Sequence, residues 1–292
     1  MHFRSPEEFL GHVLRGISPY LDTLVLVGGF AVWLCRFHPR AAQTEIVPLR
    51  TFAVDLAAPP EVRSMAGRSL SDLVAAAGLQ PTFFGDQIPP VMKFFPVRES
   101  TSPRDNPADQ YCVEFFTPLT GRTAGRAGRV SPTKEIQKGI TAQRLRYLHL
   151  LMVDPWRVSL KVLPGMKGKA DERIRVKVPH PGLFVAHKIL ISDEAGRREK
   201  RGKDMAFLYE VLALFRRDIP LLAQEVREIA GKSPVWRRWL KRFRQRAAEL
   251  FETPSSAGVT EAYEVFASAA AGGETPTPFM IHAGVQAFLR HF

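Results

Sequence analysis

The spacing of apolar residues divides the chain into two parts of different character. Up to about residue 180, short apolar runs of strand length alternate with segments of helical periodicity, and beyond that point every segment is helical. Strands are predicted at 24–27, 51–56, 81–84, 91–95, 111–116, 158–162 and 174–178. Helices are predicted at 6–17, 30–36 and 69–77, and then at 183–191, 205–215, 221–230, 236–251, 261–270 and 279–292.

Local signals at the helix ends agree with this division. Ser5 and Glu8 have the spacing of a capping box around Pro6, and Gly78 stands where a helix over 69–77 needs a C-terminal cap. Strands mixed with helices, followed by helices alone, are typical of an α+β protein. We therefore predict a domain with a mixed sheet at 1–180 and a helical C-terminal domain at 181–292.

The composition is globular, with a strong positive charge. Hydrophobic residues make up 45% of the chain and charged residues 24%, which excludes a disordered polymer. The formal net charge of +12 favours an anionic partner such as a nucleotide, a nucleic acid or an acidic protein. Heavy use of arginine throughout a basic proteome would produce the same charge, so this signal is not specific by itself.

Cysteine content and hydropathy bear on the cellular location. Cys35 and Cys112 are the only cysteines, so neither a disulfide scaffold nor a cysteine metal site is expected, and a reducing cytoplasm is the predicted location. The chain has no run of the roughly 20 apolar residues that a membrane helix needs, and its acidic start is unlike a signal peptide. We expect no membrane partner.

Two glycines, Gly28 and Gly29, stand between a predicted strand and a predicted helix. Glycine lets the backbone approach a phosphate closely, and the free N–H groups at the start of the next helix favour an anion. Close packing of a strand against a helix also calls for glycine. The turn therefore predicts a phosphate site only if other motifs support it.

Four later motifs supply that support, in a specific order. They are Thr51-x-x-x-Asp55, Glu114-x-x-Thr117-Pro118, His187-Lys188 and Lys203-Asp204. With the glycine pair, they resemble the nucleotidyltransferase-fold proteins of the AbiE toxin type and their relatives, over roughly residues 20 to 215. That family has Gly-Gly or Gly-Ser before a helix, Thr-x-Asp-x-Asp on a strand and a third carboxylate on a later strand.

The resemblance implies a nucleotidyltransferase-type fold for residues 1–180 and an enzyme that moves a nucleotide from an NTP to a hydroxyl acceptor. Such chemistry uses carboxylates to hold Mg²⁺ or Mn²⁺ against the triphosphate. By resemblance, Asp55 and Glu114 hold the metal and Asp204 is a further catalytic carboxylate. The residues implied to contact the nucleotide are Gly28, Gly29, Thr51, Lys188 and Lys203.

The sequence departs from the family pattern at one position. The first Asp of Asp-x-Asp is Ala53, which cannot bind a metal ion. Because side chains two apart on a strand share a face, Ala53 should lie beside Asp55. Three explanations remain open: the site is degenerate, another carboxylate substitutes, or the replacement silences the protein.

Two segments are rich in arginine. The glycine-rich segment 121–129 has three arginines and no acidic residue, and closely follows the strand with Glu114. The helix predicted at 236–251 mixes basic residues with Trp236, Trp239 and Phe243. The first segment could border the site and bind phosphate, or it could be a flexible solvated loop. The second could bind RNA or a partner protein, although its three aromatic residues are more simply a buried stripe.

Three functions compete at this stage. The first is metal-dependent nucleotidyl transfer to an acceptor such as tRNA or another RNA, with a toxin role and an antitoxin partner as one form of it. The second is a catalytically silent relative that binds nucleotide or RNA, which Ala53 favours. The third, transfer to a cationic small molecule such as an aminoglycoside, is disfavoured because a chain of net charge +12 repels cations.

Overall fold

The computed structural model describes residues 3–49, 51–65, 67–97, 110–119, 131–162, 173–194, 198–269 and 274–292. The arginine-rich segment 121–129 lies outside these ranges. The first part of the chain contains α1 (Pro6–Gly16), β1 (Val25–Val27), α2 (Gly28–Cys35), β2 (Ala53–Ala57), α3 (Leu70–Ala76), β3 (Leu79–Phe84), β4 (Val91–Pro96), β5 (Cys112–Pro118), β6 (Thr133–Gln137), β7 (Ile140–Leu145), β8 (Trp156–Ser159) and β9 (Arg175–Val178).

The second part of the chain is helical, as predicted. Its helices are α4 (Pro181–Leu190), α5 (Arg198–Leu214), α6 (Ile219–Gly231), α7 (Pro234–Phe251), α8 (Ala257–Ala269) and α9 (Pro278–Leu289). Each corresponds to one of the six segments whose periodicity predicts a helix. A mixed sheet followed by helices confirms the predicted α+β class.

The described chain forms two compact units. The first consists of Met1–Ala31 and Arg50–Pro179, and the second of Val32–Leu49 and His180–Phe292. The division predicted at residue 180 is continuous in sequence, whereas the second unit also takes in the segment 32–49. Long-range ion pairs fasten this segment: Arg36 lies 2.6 Å from Glu210, and Arg40 lies 2.7 Å from Asp218.

The first unit is built on a seven-stranded mixed sheet in the order β1-β2-β5-β4-β3, with β7 paired to β5 and β6 paired to β7. The pairs β2–β5 and β5–β7 are parallel, and the others are antiparallel. Strand β5 is therefore central: β2 runs along one of its edges, while β4 and β7 pair with its first and last residues. The strands β8 and β9 form a separate antiparallel pair.

Alternation along the central strands gives the sheet two different faces. One face is buried and carries Val54, Leu56, Met92, Phe94, Val113 and Phe115. The rings of Phe94 and Phe115 meet edge to face at a centroid distance of 5.8 Å, a favourable geometry for an aromatic pair. On the other face, the side chains at positions 53, 55, 93 and 114 are only partly buried.

Helix ends in the first unit follow the predicted signals with one change. Ser5 accepts a hydrogen bond from the Glu8 amide at 3.2 Å, as a cap should. The Glu8 carboxylate accepts a hydrogen bond from the Arg4 amide at 2.8 Å. In a standard capping box that amide belongs to the capping residue itself, here Ser5, so the bond is shifted by one residue. Gly78 adopts a φ of +72°, the left-handed conformation of a helix C-terminal glycine.

The second unit is organised around α4, in which every residue is buried. Helices α5, α6 and α7 all pack against it. A helix that is apolar on all sides belongs in a core, and α4 is such a helix apart from His187 and Lys188. Among the described residues, no helix combines the length and the apolar character needed to cross a membrane.

Candidate active site

Asp55 and Glu114, the two predicted metal ligands, are neighbours across the central parallel strands of the first unit. Asp55 on β2 is in register with Glu114 on β5, and two residues earlier Ala53 is in register with Cys112. Residues in register on adjacent strands point to the same face of a sheet. The structure therefore brings the two carboxylates together on the partly buried face, with Ala53 beside them.

A lysine extends this row across the opposite edge of β5. Lys93 on β4 is in register with Glu114, and its Nζ lies 2.8 Å from Glu114 Oε1. Gln143 on β7 donates a hydrogen bond of 2.9 Å from Nε2 to Glu114 Oε2. We call Asp55, Glu114 and Lys93 the charged row. Both oxygens of Glu114 thus have a protein donor, which fixes the orientation of its carboxylate.

The row changes the protonation of its neighbours. Burial lowers the pKa of Lys93, but the hydrogen bond to Glu114 and the negative charges of Glu114 and Asp55 outweigh burial, so the pKa is raised. Lys93 is therefore a fixed cation at neutral pH. Burial, reinforced by the charge of Glu114, raises the pKa of the Cys112 thiol to about 12. Cys112 stays a neutral thiol rather than a nucleophile.

Gly28 packs directly against Asp55. It adopts a φ of +71°, and a Cβ atom built on it would lie 2.1 Å from Asp55 Oδ2. Both the backbone conformation and the close approach require glycine here. Gly28 begins α2 immediately after β1, so the Asp55 carboxylate lies at the start of this helix, where the unpaired N–H groups favour negative charge.

Gly28 and Asp55 thus have a local role in this structure that the sequence did not predict. The motif predicts two glycines that contact phosphate, whereas the structure shows Gly28 making room for a carboxylate. Gly29, the next residue, is buried within α2. Thr51 is partly buried and lies two residues before the start of β2.

The charged row offers two carboxylates as metal ligands, with one ammonium group beside them. Ala53 leaves the place of a third carboxylate without an oxygen ligand. Among the described residues, no group of three or more histidine, cysteine, aspartate or glutamate side chains has the geometry to hold a metal ion. Two carboxylates with substrate phosphates suffice for one Mg²⁺ ion, which commonly takes the rest of its ligands from phosphate and water.

Lys188 and Asp204, also predicted as site residues, form an ion pair with each other in the second unit. Lys188 on α4 donates a hydrogen bond to Asp204 Oδ1 on α5, and the side chains are 9% and 8% exposed. The Lys188 ammonium also lies 5.3 Å from the ring centre of Phe184, one turn earlier on α4. The pair joins two core helices.

Lys203 lies beside this pair in sequence but not in environment. It is exposed, and its Nζ lies 5.7 Å from the ring centre of Phe207. The structure thus brings together Asp55 with Glu114, and Lys188 with Asp204. The nucleotide contacts assigned to Lys188, Lys203, Thr51 and Gly29 by resemblance remain predictions.

Sequence reasoning missed Lys93 and Gln143. A signal for Lys93 is present, because it is the single charged residue in the apolar run 91–95. Such a residue on a strand needs a partner or an open face. Gln143 gives no comparable signal, since it belongs to a strand with little apolar periodicity.

Comparison with known proteins gives one significant match. A family model described as a nucleotidyltransferase matches residues 12–231, most of the 292-residue chain. The matched region includes the glycine turn, the charged row and the pair of Lys188 with Asp204. No curated protein and no solved structure shows significant similarity. The chain belongs to the nucleotidyltransferase family.

Proposed function

We propose that this protein transfers a nucleotide from an NTP to a hydroxyl acceptor at the charged row of the first unit. The observation that carries the proposal is the register of Asp55 with Glu114 on adjacent parallel strands. Gly28, packed against the Asp55 carboxylate at the start of α2, supports it. Membership of the nucleotidyltransferase family agrees with this chemistry.

The residues present fit one divalent cation better than two. Asp55 and Glu114 would hold Mg²⁺ or Mn²⁺, which when bound polarises the phosphate and neutralises its charge. A second cation would need a ligand at position 53, where alanine offers none. It would also meet the Lys93 ammonium, which already occupies one oxygen of Glu114.

Lys93 has a distinct part in the proposed site. Its raised pKa keeps it charged, and its side chain is 32% exposed on the face that carries the carboxylates. A fixed cation there attracts a triphosphate and offsets part of the negative charge of the row. Gln143 and Lys93 together hold the Glu114 carboxylate in one orientation, so that it needs little rearrangement when a substrate binds.

The acceptor is most simply an RNA. The net charge of +12 favours an anionic acceptor and disfavours a cationic small molecule. An RNA-directed toxin controlled by an antitoxin, as the resemblance to the AbiE type implies, is the specific form of this proposal. In that form, the resemblance implies a catalytic role for Asp204 and nucleotide contacts for Lys188, Lys203, Thr51 and Gly29.

Transfer of label from each of the four NTPs to total RNA tests the proposal. We compare the wild-type protein with Ala53→Asp, which supplies the absent carboxylate, and with Asp55→Asn, which removes a ligand without changing shape. Wild-type activity should be weak and Ala53→Asp should raise it by about 10²-fold or more, the scale of one strong transition-state contact. Asp55→Asn should abolish it. Equal activity of all three proteins would show that the charged row is not the site.

A second function is favoured by Ala53 itself. If position 53 has lost its ligand for good, the protein binds NTP without transferring it, because a group that acts in the transition state affects turnover more than binding. Calorimetry with each NTP and Mg²⁺ separates the two functions. Binding by the wild-type protein, with transfer by Ala53→Asp alone, indicates a binding protein derived from an enzyme. Absence of binding by all four NTPs at millimolar concentration excludes both.

A further inference from the structure

Helix α7 (Pro234–Phe251) carries a concentration of positive charge that the charged row does not explain. From residue 229 to residue 248 the chain has no acidic residue and seven basic ones: Lys232, Arg237, Arg238, Lys241, Arg242, Arg244 and Arg246. The net charge of the whole chain is +12. The +7 of this one segment is therefore more than half of the net positive charge of the chain.

Several of these cations are exposed and uncommitted. Arg238, Lys241 and Arg244 are exposed and form no hydrogen bond or ion pair with any residue that the structure describes. Arg237 is also exposed, and donates to the Gly231 carbonyl at 3.1 Å. Arg237, Lys241 and Arg244 follow at intervals of four and three residues, so they lie along one side of the helix.

The other two arginines of α7 are paired. Arg242 lies 2.9 Å from Asp193, and Arg246 lies 2.6 Å from Glu249. Helix α7 therefore separates paired cations from a line of unpaired ones. Like charges held in a line on a folded surface repel one another, and an anion that spans them relieves that repulsion.

Two tryptophans of the same helix are also incompletely buried. Trp236 and Trp239 are only partly buried, and their rings are nearly parallel, at 19°, with centroids 6.4 Å apart. They continue the apolar stripe of α7, which is buried farther along the helix at Phe243 and Ala247. Their partial exposure corrects the alternative that the whole aromatic stripe is core.

We propose that Arg237, Arg238, Lys241 and Arg244, with Trp236 and Trp239, form a binding surface for single-stranded RNA. We call this set the α7 basic face. Proteins that hold single strands combine cations along the phosphate backbone with aromatic rings on which bases stack. Three of the four cations are arginine, whose planar group binds a phosphate through two hydrogen bonds.

Two other partners fit the same face less well. A membrane-surface helix inserts its apolar stripe into lipid, but the stripe of α7 is buried at Phe243, Ala247, Leu250 and Phe251. An acidic protein would satisfy the cations but gives no reason for two nearly parallel, partly exposed indole rings on the same helix. RNA uses both features.

This inference rests on the proposed function only for the role of the bound RNA, which would be the acceptor. Binding itself requires neither NTP nor metal. The test therefore uses the full chain in EDTA with a labelled 20-nucleotide RNA of mixed sequence, and measures anisotropy at several KCl concentrations. RNA binding can therefore be observed even if the protein transfers no nucleotide. Nucleotidyl transfer can likewise be observed even if the α7 basic face binds no RNA.

The first comparison removes charge. Arg237→Gln, Arg238→Gln, Lys241→Gln and Arg244→Gln are combined in one variant. The control combines Arg63→Gln, Arg68→Gln, Lys138→Gln and Arg173→Gln, four exposed cations of the first unit with the same charge change. Each phosphate contact adds about 0.7 to the slope of log affinity against log salt, so the α7 variant should lower the slope by about 2 to 3. An unchanged slope, or an equal fall in the control, overturns the proposal.

The second comparison removes the aromatic rings and keeps the charge. Trp236→Leu with Trp239→Leu should weaken RNA binding about tenfold or more, while Trp236→Phe with Trp239→Phe should retain most of it, because a phenyl ring still stacks. Thermal unfolding checks that each variant folds. Equal binding by the leucine and wild-type proteins overturns the proposal. So does equal competition by poly-glutamate of the same charge as the RNA, which would indicate an acidic protein partner.

Discussion

The two units each contain a cluster of charged side chains, and the clusters differ in composition and exposure. In the first unit, two carboxylates and one lysine share a partly exposed face of the sheet. In the second unit, Lys188 and Asp204 balance each other and are 9% and 8% exposed. A ligand can reach side chains on a partly exposed face, whereas the ion pair between the two helices is closed to solvent.

Asp55, Glu114, Lys188 and Asp204 all come from the motifs of one family resemblance, but their environments differ. Burying two charges costs several kcal/mol per ion, and their mutual attraction offsets that cost only while both are present. Lys188 and Asp204 therefore depend on each other for stability, whatever else they contact. In the charged row, Lys93 is 32% exposed and Glu114 is 12% exposed, so the lysine of the row is more accessible to a substrate than either member of the buried pair.

The largest expected effect comes from breaking the closed pair. Lys188→Met leaves the Asp204 carboxylate buried without the Lys188 ammonium, and should lower the free energy of unfolding by about 3–5 kcal/mol. Adding Asp204→Leu removes the buried carboxylate as well and should recover most of that loss. Urea unfolding of the wild-type, single and double variants measures both steps.

The double variant also tests the predicted contact of Lys188 with the triphosphate. If Lys188 and Asp204 act only on each other, the folded double variant should bind NTP as the wild-type protein does. A stable double variant with NTP affinity reduced tenfold or more would place Lys188 in the nucleotide site, and the contrast between the clusters would then be one of exposure alone.

A second effect should appear at the glycine beside Asp55. Gly28→Ala places a Cβ atom on Asp55 Oδ2 and so displaces the carboxylate, in addition to a backbone cost of about 1–2 kcal/mol for a side chain at positive φ. Gly67→Ala is the matched control: Gly67 has a φ of +73°, but among the described residues other than its chain neighbours no atom lies within 4 Å of its built Cβ. The part of the stability loss that comes from the positive φ should be similar in the two variants.

Only Gly28→Ala should also weaken Mn²⁺ binding, which titration followed by electron paramagnetic resonance measures directly. Equal Mn²⁺ affinity in the two alanine variants would indicate that Asp55 does not hold the metal. A larger stability loss in Gly28→Ala than in Gly67→Ala is expected, since the carboxylate must move.

Some elements of the fold could be predicted from the sequence, and others could not. Local periodicity predicted the helices of the second unit, and clear apolar runs predicted β2 and β5 in the first. Strands β6 and β7 escaped prediction because Thr133–Gln137 is mostly polar and Ile140–Leu145 has no alternating apolar pattern. Pairing of β7 with β5 and of β6 with β7 defines these strands rather than propensity. A motif predicts that Asp55 and Glu114 belong to one site, but only strand order makes them neighbours.

The partners of these carboxylates lay beyond sequence reasoning for the same reason. Lys93 is 21 positions from Glu114 in the chain, on an antiparallel strand whose register no local pattern specifies. The segment 32–49 likewise joins the second unit through Arg36 and Arg40, whose partners Glu210 and Asp218 lie more than 170 residues away. Local periodicity carries no information about contacts of that range.

A third, smaller effect concerns competition within the charged row. Lys93→Gln keeps a hydrogen-bond donor near Glu114 but removes the charge, so Mn²⁺ no longer competes with an ammonium for Oε1. Mn²⁺ affinity should rise by roughly three- to tenfold, since the charge is partly screened by water. Lys134→Gln is the control, because Lys134 pairs only loosely with the exposed Glu61, at 3.9 Å. Equal affinity in both variants would mean that Lys93 and the metal do not share Glu114.

The smallest effect is a pH dependence of stability that arises at Lys93. The pKa of Lys93 is raised above its ordinary value near 10.5, because the bond to Glu114 outweighs burial. A group with a raised folded pKa stabilises the folded state fully below its unfolded pKa, and that contribution is lost as pH rises through the folded pKa. The difference in unfolding free energy between wild type and Lys93→Gln should therefore be constant from pH 7 to about 10 and shrink by pH 11. Its size should be under about 1 kcal/mol, since the lysine is about one-third exposed.

Urea unfolding at each pH measures this difference, and the Cys112 thiol, with its pKa of about 12, remains mostly protonated across that range. A difference that instead grew toward pH 11 would mean that the charge of Lys93 does not stabilise the folded state, and that its ion pair with Glu114 contributes nothing to stability.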